Sequence, residues 1–252
     1  MESREKIIVA LDVDDIRKAT TLVEKLAPHV GCFKVGLEIL TSIFAYLVTP
    51  PFAPTGLESK IHLYDVRQLF KLLEGKIFWD GKFDDIPNTI AGASRQVAKI
   101  GVRFFNVHAS AGRESVRAAV INRGSAKVLG VTLLTSIDEA ECISIFGDPP
   151  GKKVLQFAQI LTEVGADGII CSPQELELLG QQLELDSLLK VTPGVRPEWA
   201  VAADQKRVMT PAEAVRAGAD FLVIGRPITN PPPEIGTPVD AAKIIAEEVA
   251  NA

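Results

Sequence analysis

The amino-acid sequence predicts an α/β protein folded as one closed barrel of eight strand–helix units, the (β/α)8 or TIM barrel, in a single domain over residues 1–252. Three observations lead there. Short β-branched and aromatic runs alternate with longer stretches of helical period, as expected of strands buried on both faces. Eight such runs occur, which favours closure over an open doubly wound sheet, the alternative architecture. A length of 252 residues suits one such barrel without a second domain.

In chain order the strands are expected at 7–13, 32–38, 76–82, 103–108, 127–135, 168–171, 189–193 and 221–226. Between the first two, Ile16, Ala19, Val23, Leu26 and Val30 recur on one helical face. Asp14 and Asp15 stand where an N-cap belongs, and Pro28 interrupts the pattern. Further on, Thr210, Pro211 and Glu213 combine a capping hydroxyl, a proline at the first helical position and a capping-box carboxylate, and Gly218 supplies the stop. Thr237, Pro238 and Asp240 open the last helix in the same way. The proline-rich segments 49–56, 147–151 and 230–237 read as surface connections, because proline neither joins a sheet interior nor continues a helix.

Composition narrows the function. An apolar content of 47% with 23% charged residues describes a globular chain and excludes a disordered, collagen-like or disulfide-stapled one. A net charge of −5 argues against a protein that grips nucleic acid, while leaving room for a local cationic site for a small anion. Cys32, Cys142 and Cys171 are odd in number, far apart and without zinc-ligand spacing, as expected in a reducing compartment. The apolar run near the amino terminus ends at Asp12, and no run is long enough for a membrane span. The expectation is a cytoplasmic protein without membrane contact.

In such a barrel the active site lies at the carboxyl ends of the strands, so the polar residues that close each apolar run carry the information. They are Asp12, Lys34, Asp80 with Lys82, His108, Thr135, the stretch from Pro193 to Arg196, and Gly225 with Arg226. The densest piece runs from Trp79 to Thr89. Asp80 and Lys82 are two apart on a strand and so share a face, which Lys34 on the neighbouring strand can reach. With Asp85 these groups offer two charges of each sign, an arrangement that holds a cation beside a substrate while staying near neutrality. By spacing alone, Asp80 and Lys82 also fit a surface ion pair at a strand end.

Arg196, Gln205, Gly225 and Arg226 form a second cluster on the loops after the last two strands, the usual phosphate site of this architecture. Each arginine taken singly also fits a solvated loop charge. His108 reads as a general base, a metal ligand or a hydrogen-bonded structural histidine. With no other histidine or cysteine at ligand spacing, metal dependence is not expected.

These pieces together resemble the orotidine 5′-phosphate decarboxylase family, in its bacterial branch. The resemblance rests on ALD around Asp12, FKVGLE around Lys34, DGKFDDIPNT from Asp80 to Thr89, FNVHAS around His108 and VTLLTS around Thr135. TPGVRP around Arg196, DQKRVMTP around Gln205 and IGRPIT around Arg226 complete it, in the family's order. It implies loss of carbon dioxide from orotidine 5′-monophosphate to give UMP, the last step of de novo pyrimidine synthesis, with no cofactor and no metal.

Roles follow on the matching positions. The resemblance makes Lys82 the proton donor and places Asp80 beside the substrate carboxylate, with Lys34 and Asp12 at the ribose hydroxyls. Thr135 would read the pyrimidine edge, Gln205 would bridge base and phosphate, Arg196, Gly225 and Arg226 would hold the phosphate, and Pro193 would also bind substrate. Asp85, Ile86 and Thr89 would reach into the site of a second copy in a homodimer. Relative to bacterial members the second crossover is extended around 41–62.

Two rivals share parts of this pattern. One is a keto-gulonate-phosphate decarboxylase or hexulose-phosphate synthase barrel, which uses the same D-x-K-x-x-D core with magnesium and a sugar phosphate. Those relatives carry an acidic metal ligand where this chain has Lys34, whose charge would repel the metal. The other is a non-catalytic nucleotide-binding barrel, against which the complete set Lys34, Asp80, Lys82 and Asp85 argues.

Overall fold

A computed structural model of the chain describes residues 1–48, 63–200 and 209–252. The eight expected strands are present as β1 Ile7–Ala10, β2 Cys32–Gly36, β3 Ile77–Phe83, β4 Phe104–His108, β5 Lys127–Val131, β6 Gly168–Ile170, β7 Leu189–Pro193 and β8 Phe221–Ile224. All pair in parallel with their sequence neighbours, and β8 closes on β1. Several end earlier than expected. β1 stops two residues before Asp12, and β5 stops four before Thr135, because the chain leaves the ladder to turn over the barrel mouth.

The period of two along each strand divides the interior into two cores. Ile7 and Val9, Phe33 and Val35, and Leu222 and Ile224 face outward into one core shared with the helices. Ile8, Cys32, Phe78, Phe104, Leu129, Val191 and Phe221 face inward and fill the barrel itself. Phe104 meets Phe78 and Phe221 edge-on, with ring centroids 6.2 and 5.3 Å apart. This apolar plug is the floor on which the polar mouth stands.

The helices on the outside are α1 Ile16–Leu26, α2 Leu37–Val48, α3 Leu63–Leu72, α4 Pro87–Ile100, α5 Arg113–Ile121, α6 Glu139–Phe146, α7 Pro150–Glu163, α8 Leu176–Gly180, α9 Pro211–Arg216, α10 Arg226–Thr229 and α11 Pro238–Ala250. Asp15 caps α1, its carboxylate accepting from the Arg17 and Lys18 N–H groups, and the buried face is Ile16, Ala19, Val23 and Leu26. Reciprocal capping boxes open α9 at Thr210 and α11 at Thr237. The segment 147–151 is irregular only to Pro149, since Pro150 takes the first position of α7, where a missing N–H costs nothing. Of the crossover expected to be extended around 41–62, residues 41–48 belong to helix α2, and 49–62 lie outside the described residues. Among the described residues no helix is long and apolar enough to cross a membrane.

After β6, the Ser172 N–H donates to Glu175 Oε2 at 2.8 Å, and burial pushes the Glu175 carboxyl up to about 7. The folded chain therefore holds this proton more tightly than the unfolded one, so stability declines as pH rises from the ordinary carboxylate range through about 7. Glu175→Gln keeps an acceptor oxygen for Ser172 and removes the ionisation. Chemical denaturation should show the variant more stable on the order of 1–2 kcal/mol at pH 8, after allowing for solvent screening, and unchanged near pH 4. A variant no more stable than the parent at pH 8 would contradict this account of Glu175.

Candidate active site

Four side chains meet at the carboxyl end of the barrel in a run of alternating charge. Lys34 Nζ lies 2.9 Å from Asp12 Oδ1 and 3.1 Å from Asp80 Oδ2, and Lys82 Nζ lies 2.7 Å from Asp80 Oδ1. The strands impose this proximity. Lys34 pairs across β1 with Ala10, two residues before Asp12, and Gly36 pairs across β2 and β3 with Asp80. A side chain at Gly36 would crowd the run, since a Cβ there would sit 3.0 Å from Lys34 Nζ and 3.7 Å from Asp80 Oδ2. Glycine leaves the room in which the ion pairs form.

Burial and pairing oppose each other at both central groups. Burial works to lower the pKa of Lys34, but the Asp80 charge and the hydrogen bonds that Lys34 donates to Asp12 and Asp80 outweigh it and leave it raised. At Asp80, burial works upward, and the Lys34 charge together with hydrogen bonds from Lys82 and Asn106 leaves the carboxyl below its ordinary range. Asp80 thus stabilises the fold above the ordinary carboxylate range, an effect lost as pH falls through its depressed pKa. For Lys34 the effect is present below the ordinary lysine range and is lost as pH rises through its raised pKa. Both stay charged at neutral pH.

β3 is not a regular strand here. Its pairing with β4 shifts between Trp79 and Phe83, and Lys82 adopts φ 47°, in the left-handed region. The expected sharing of a face by Asp80 and Lys82 is observed at the side chains, yet a bulge rather than strand alternation brings it about. Asn106, fully buried on β4, donates from Nδ2 to Asp80 Oδ1 at 2.6 Å and accepts the Lys82 backbone N–H at 2.7 Å. Sequence reasoning passed over Asn106 and Gly36, although an amide inside the apolar run FFNVH was a visible signal.

The array opens on a cavity of about 250 Å³ whose wall across from Lys34, Asp80 and Lys82 is apolar, formed by Val131, Leu133, Ile170 and Cys171, with Thr135 on the loop after β5. Pro193 and Lys34 also line a second cavity of about 330 Å³ that contains Asp12, Arg196, Gly225 and Arg226. Arg196 and Arg226 continue into a third, outer hollow beside Trp199. Asp80 and Lys82 on one side and Arg196 and Arg226 on the other therefore lie at the two ends of one groove. Gly225 precedes α10, and Arg226 is the first residue of that short helix.

Asp85, Ile86 and Thr89 are exposed at the start of α4, and none lines these cavities. Within one chain the second acid beside Lys34, Asp80 and Lys82 is Asp12. Asp85 instead accepts the Ile86 N–H, and its carbonyl takes the Ser115 hydroxyl. Gln205 lies outside the described residues. His108 ends β4 half-buried, and burial lowers its pKa. Its imidazole makes no hydrogen bond among the described residues, so the structural, hydrogen-bonded reading finds no support there. No group of three or more His, Cys, Asp or Glu residues is gathered for a metal ion among the described residues.

A closed parallel barrel with ion-paired lysines at its mouth defines a (β/α)8 protein of the kind whose active sites lie at the carboxyl ends of the strands. Residues 5–238 match the family profile described as orotidine 5′-phosphate decarboxylase / HUMPS, and the chain belongs to that family. It is 39% identical over 260 residues to the orotidine 5′-phosphate decarboxylase of Moorella thermoacetica, covering 99% of this chain and 94% of the relative. The corresponding protein of Gloeothece citriformis is 43% identical over 254 residues, covering 98% of each chain. Among solved structures, the Lactobacillus acidophilus orotidine 5′-phosphate decarboxylase superposes with a TM-score of 0.75 at 31% identity, over 98% of this chain and 99% of that one.

Because the Asp80 charge is the chief influence holding the Lys34 pKa up against burial, removing it should reverse the balance. In Asp80→Asn, a lysine side-chain NMR titration should find the Lys34 pKa lower than in the parent protein. A value that stays raised would show that Asp12 alone holds Lys34.

Proposed function

We propose that this chain decarboxylates orotidine 5′-monophosphate to UMP with Lys82 as the proton donor. The observation that carries the reading is the run Asp12, Lys34, Asp80, Lys82 beside an apolar cavity that continues into a groove bearing two arginines.

The pyrimidine fits the apolar cavity, with Thr135 at its edge and its carboxylate toward Asp80. Asp12 and Lys34 take the ribose hydroxyls, while Arg196, Gly225 and Arg226 hold the phosphate in the adjoining cavity beside Pro193. Gln205 is assigned to base and phosphate on the sequence match alone. As the bond from ring carbon to carboxylate breaks, its electron pair stays on the ring carbon and carbon dioxide leaves. That carbon has no neighbouring carbonyl to take up the charge, so a preorganised ammonium must stabilise it. Lys82 does so, then transfers a proton to the same carbon and is reprotonated from water. Asp80 fixes the donor and places negative charge beside the leaving carboxylate.

The active unit in this reading is a homodimer in which Asp85, Ile86 and Thr89 complete the partner's site. Their exposure supports it, since all three are open to a second copy of the chain. Three buried, unpaired cysteines support a cytoplasmic location. Against a magnesium-dependent sugar-phosphate reaction stands Lys34, whose ammonium occupies the space between the two carboxylates that would otherwise attract a cation.

Lys82→Ala should keep UMP affinity within about tenfold while turnover of orotidine monophosphate, followed by absorbance, falls on the order of 10³-fold or more. Unchanged turnover would remove Lys82 from the mechanism. Arg226→Ala should lower kcat as well as raise KM, with kcat/KM down on the order of 10²-fold, because binding energy at the phosphate positions the ring. A rise in KM alone would show that the phosphate grip contributes only affinity.

A further inference from the structure

We infer that Asn106 is a positioning residue for this decarboxylation, a buried amide that holds the proton-donating lysine and its carboxylate neighbour in one fixed relation. The inference rests on the roles proposed above for Lys82 and Asp80.

The need for such a residue arises from the backbone. Pairing between β3 and β4 passes from Trp79 opposite Phe105 to Phe83 opposite Val107, so the stretch between them on β3 is too long for its partner. That bulge displaces Lys82 from the ladder and places it at φ 47°, a conformation that lysine rarely adopts. Its N–H then needs another acceptor, and the Asn106 Oδ1 at 2.7 Å provides one. Strained backbone of this kind persists only where its surroundings hold it.

The other end of the amide is equally committed. Asn106 Nδ2 donates at 2.6 Å to Asp80 Oδ1, the same oxygen that receives Lys82 Nζ at 2.7 Å. A backbone N–H only donates and a carboxylate only accepts, so the orientation of the amide is compelled by its neighbours. A carboxamide meets both demands; a carboxylate would face Asp80 with like charge, and an apolar side chain would leave both groups unpaired. Asn106 is 0% exposed and does not line the cavity, so it touches no substrate. Its side-chain hydrogen bonds go to the donor's backbone and the donor's counter-ion and to nothing else among the described residues. Misplacement of a reacting group by about 1 Å costs on the order of 10²-fold in rate, which sets the scale of what Asn106 contributes.

The test combines two variants with a measurement on the unaltered protein. Asn106→Ser should lower kcat on the order of 10²-fold while UMP affinity changes less than about threefold, since the arginines that hold the phosphate are untouched. In Asn106→Asp two carboxylates share one proton, so residual kcat should fall as pH rises and that proton is lost, a limb absent from the parent profile. In the unaltered protein, hydrogen exchange at the Lys82 amide should be as slow as at the β4 amides. Asn106→Ser with near-parental kcat, an Asn106→Asp profile parallel to the parent's, or rapid exchange at Lys82 would each overturn the inference. Should Asn106→Ser not fold, the exchange measurement decides. Full activity of Lys82→Ala sinks the mechanism itself, whereas an inactive Lys82→Ala beside a fully active Asn106→Ser sinks only the role of Asn106.

Discussion

The Asp80 carboxylate carries an ammonium on each oxygen, Lys34 on one and Lys82 on the other, at the open end of an otherwise apolar barrel. Two lysines placed so close repel each other and lose hydration, and the acid between them offsets both costs. With it, the Lys34 ammonium is held above its ordinary pKa and the Asp80 carboxyl below its own, so this pair stays charged at neutral pH. Positive charge is thus in place before any substrate arrives. Enzymes that stabilise a developing anion depend on such preorganisation, because dipoles and charges that are already oriented need not reorganise during the reaction.

The rest of the fold serves that placement. The inward residues below the mouth are aromatic and aliphatic, so the array rests on a dry floor and is screened from solvent on that side. Gly36 leaves the space that the ion pairs fill, and the bulge in β3 turns Lys82 toward Asp80. On the far side, the groove runs away from Asp80 and Lys82 toward Arg196 and Arg226, which in the proposed reading separates the anchoring of the anion from the reacting carbon. Such a separation lets binding energy gained at one end orient the other.

Much of this was legible in the sequence, for physical reasons that differ by element. The strands declared themselves through β-branched runs, and the helices at Asp15, Thr210 and Thr237 through caps whose chemistry is local. Asp12, Asp80 and Lys82 were legible because they close apolar runs, and Lys34 because it interrupts one, where a charge needs a reason. Strand ends were less so, since Asp12 and Thr135 lie beyond the ladder on turns that local pattern does not mark. The bulge at Lys82 was invisible, because it arises from pairing between two strands rather than from either alone. Asn106 was overlooked for the same reason: its importance lies in what stands opposite it. Asp85 was grouped with the array by proximity in sequence, whereas the turn into α4 carries it away to the surface.

The central claim is that Asp80 and Lys82 act as one unit, and a double-mutant cycle on kcat/KM for orotidine monophosphate tests it most directly. Removing either member of a unit destroys what the other contributes, so the Asp80→Asn/Lys82→Ala double variant should be no slower than the slower single variant within about threefold. Losses that multiply, with the double variant slower by the product of the two single effects, would show independent contributions and contradict the account.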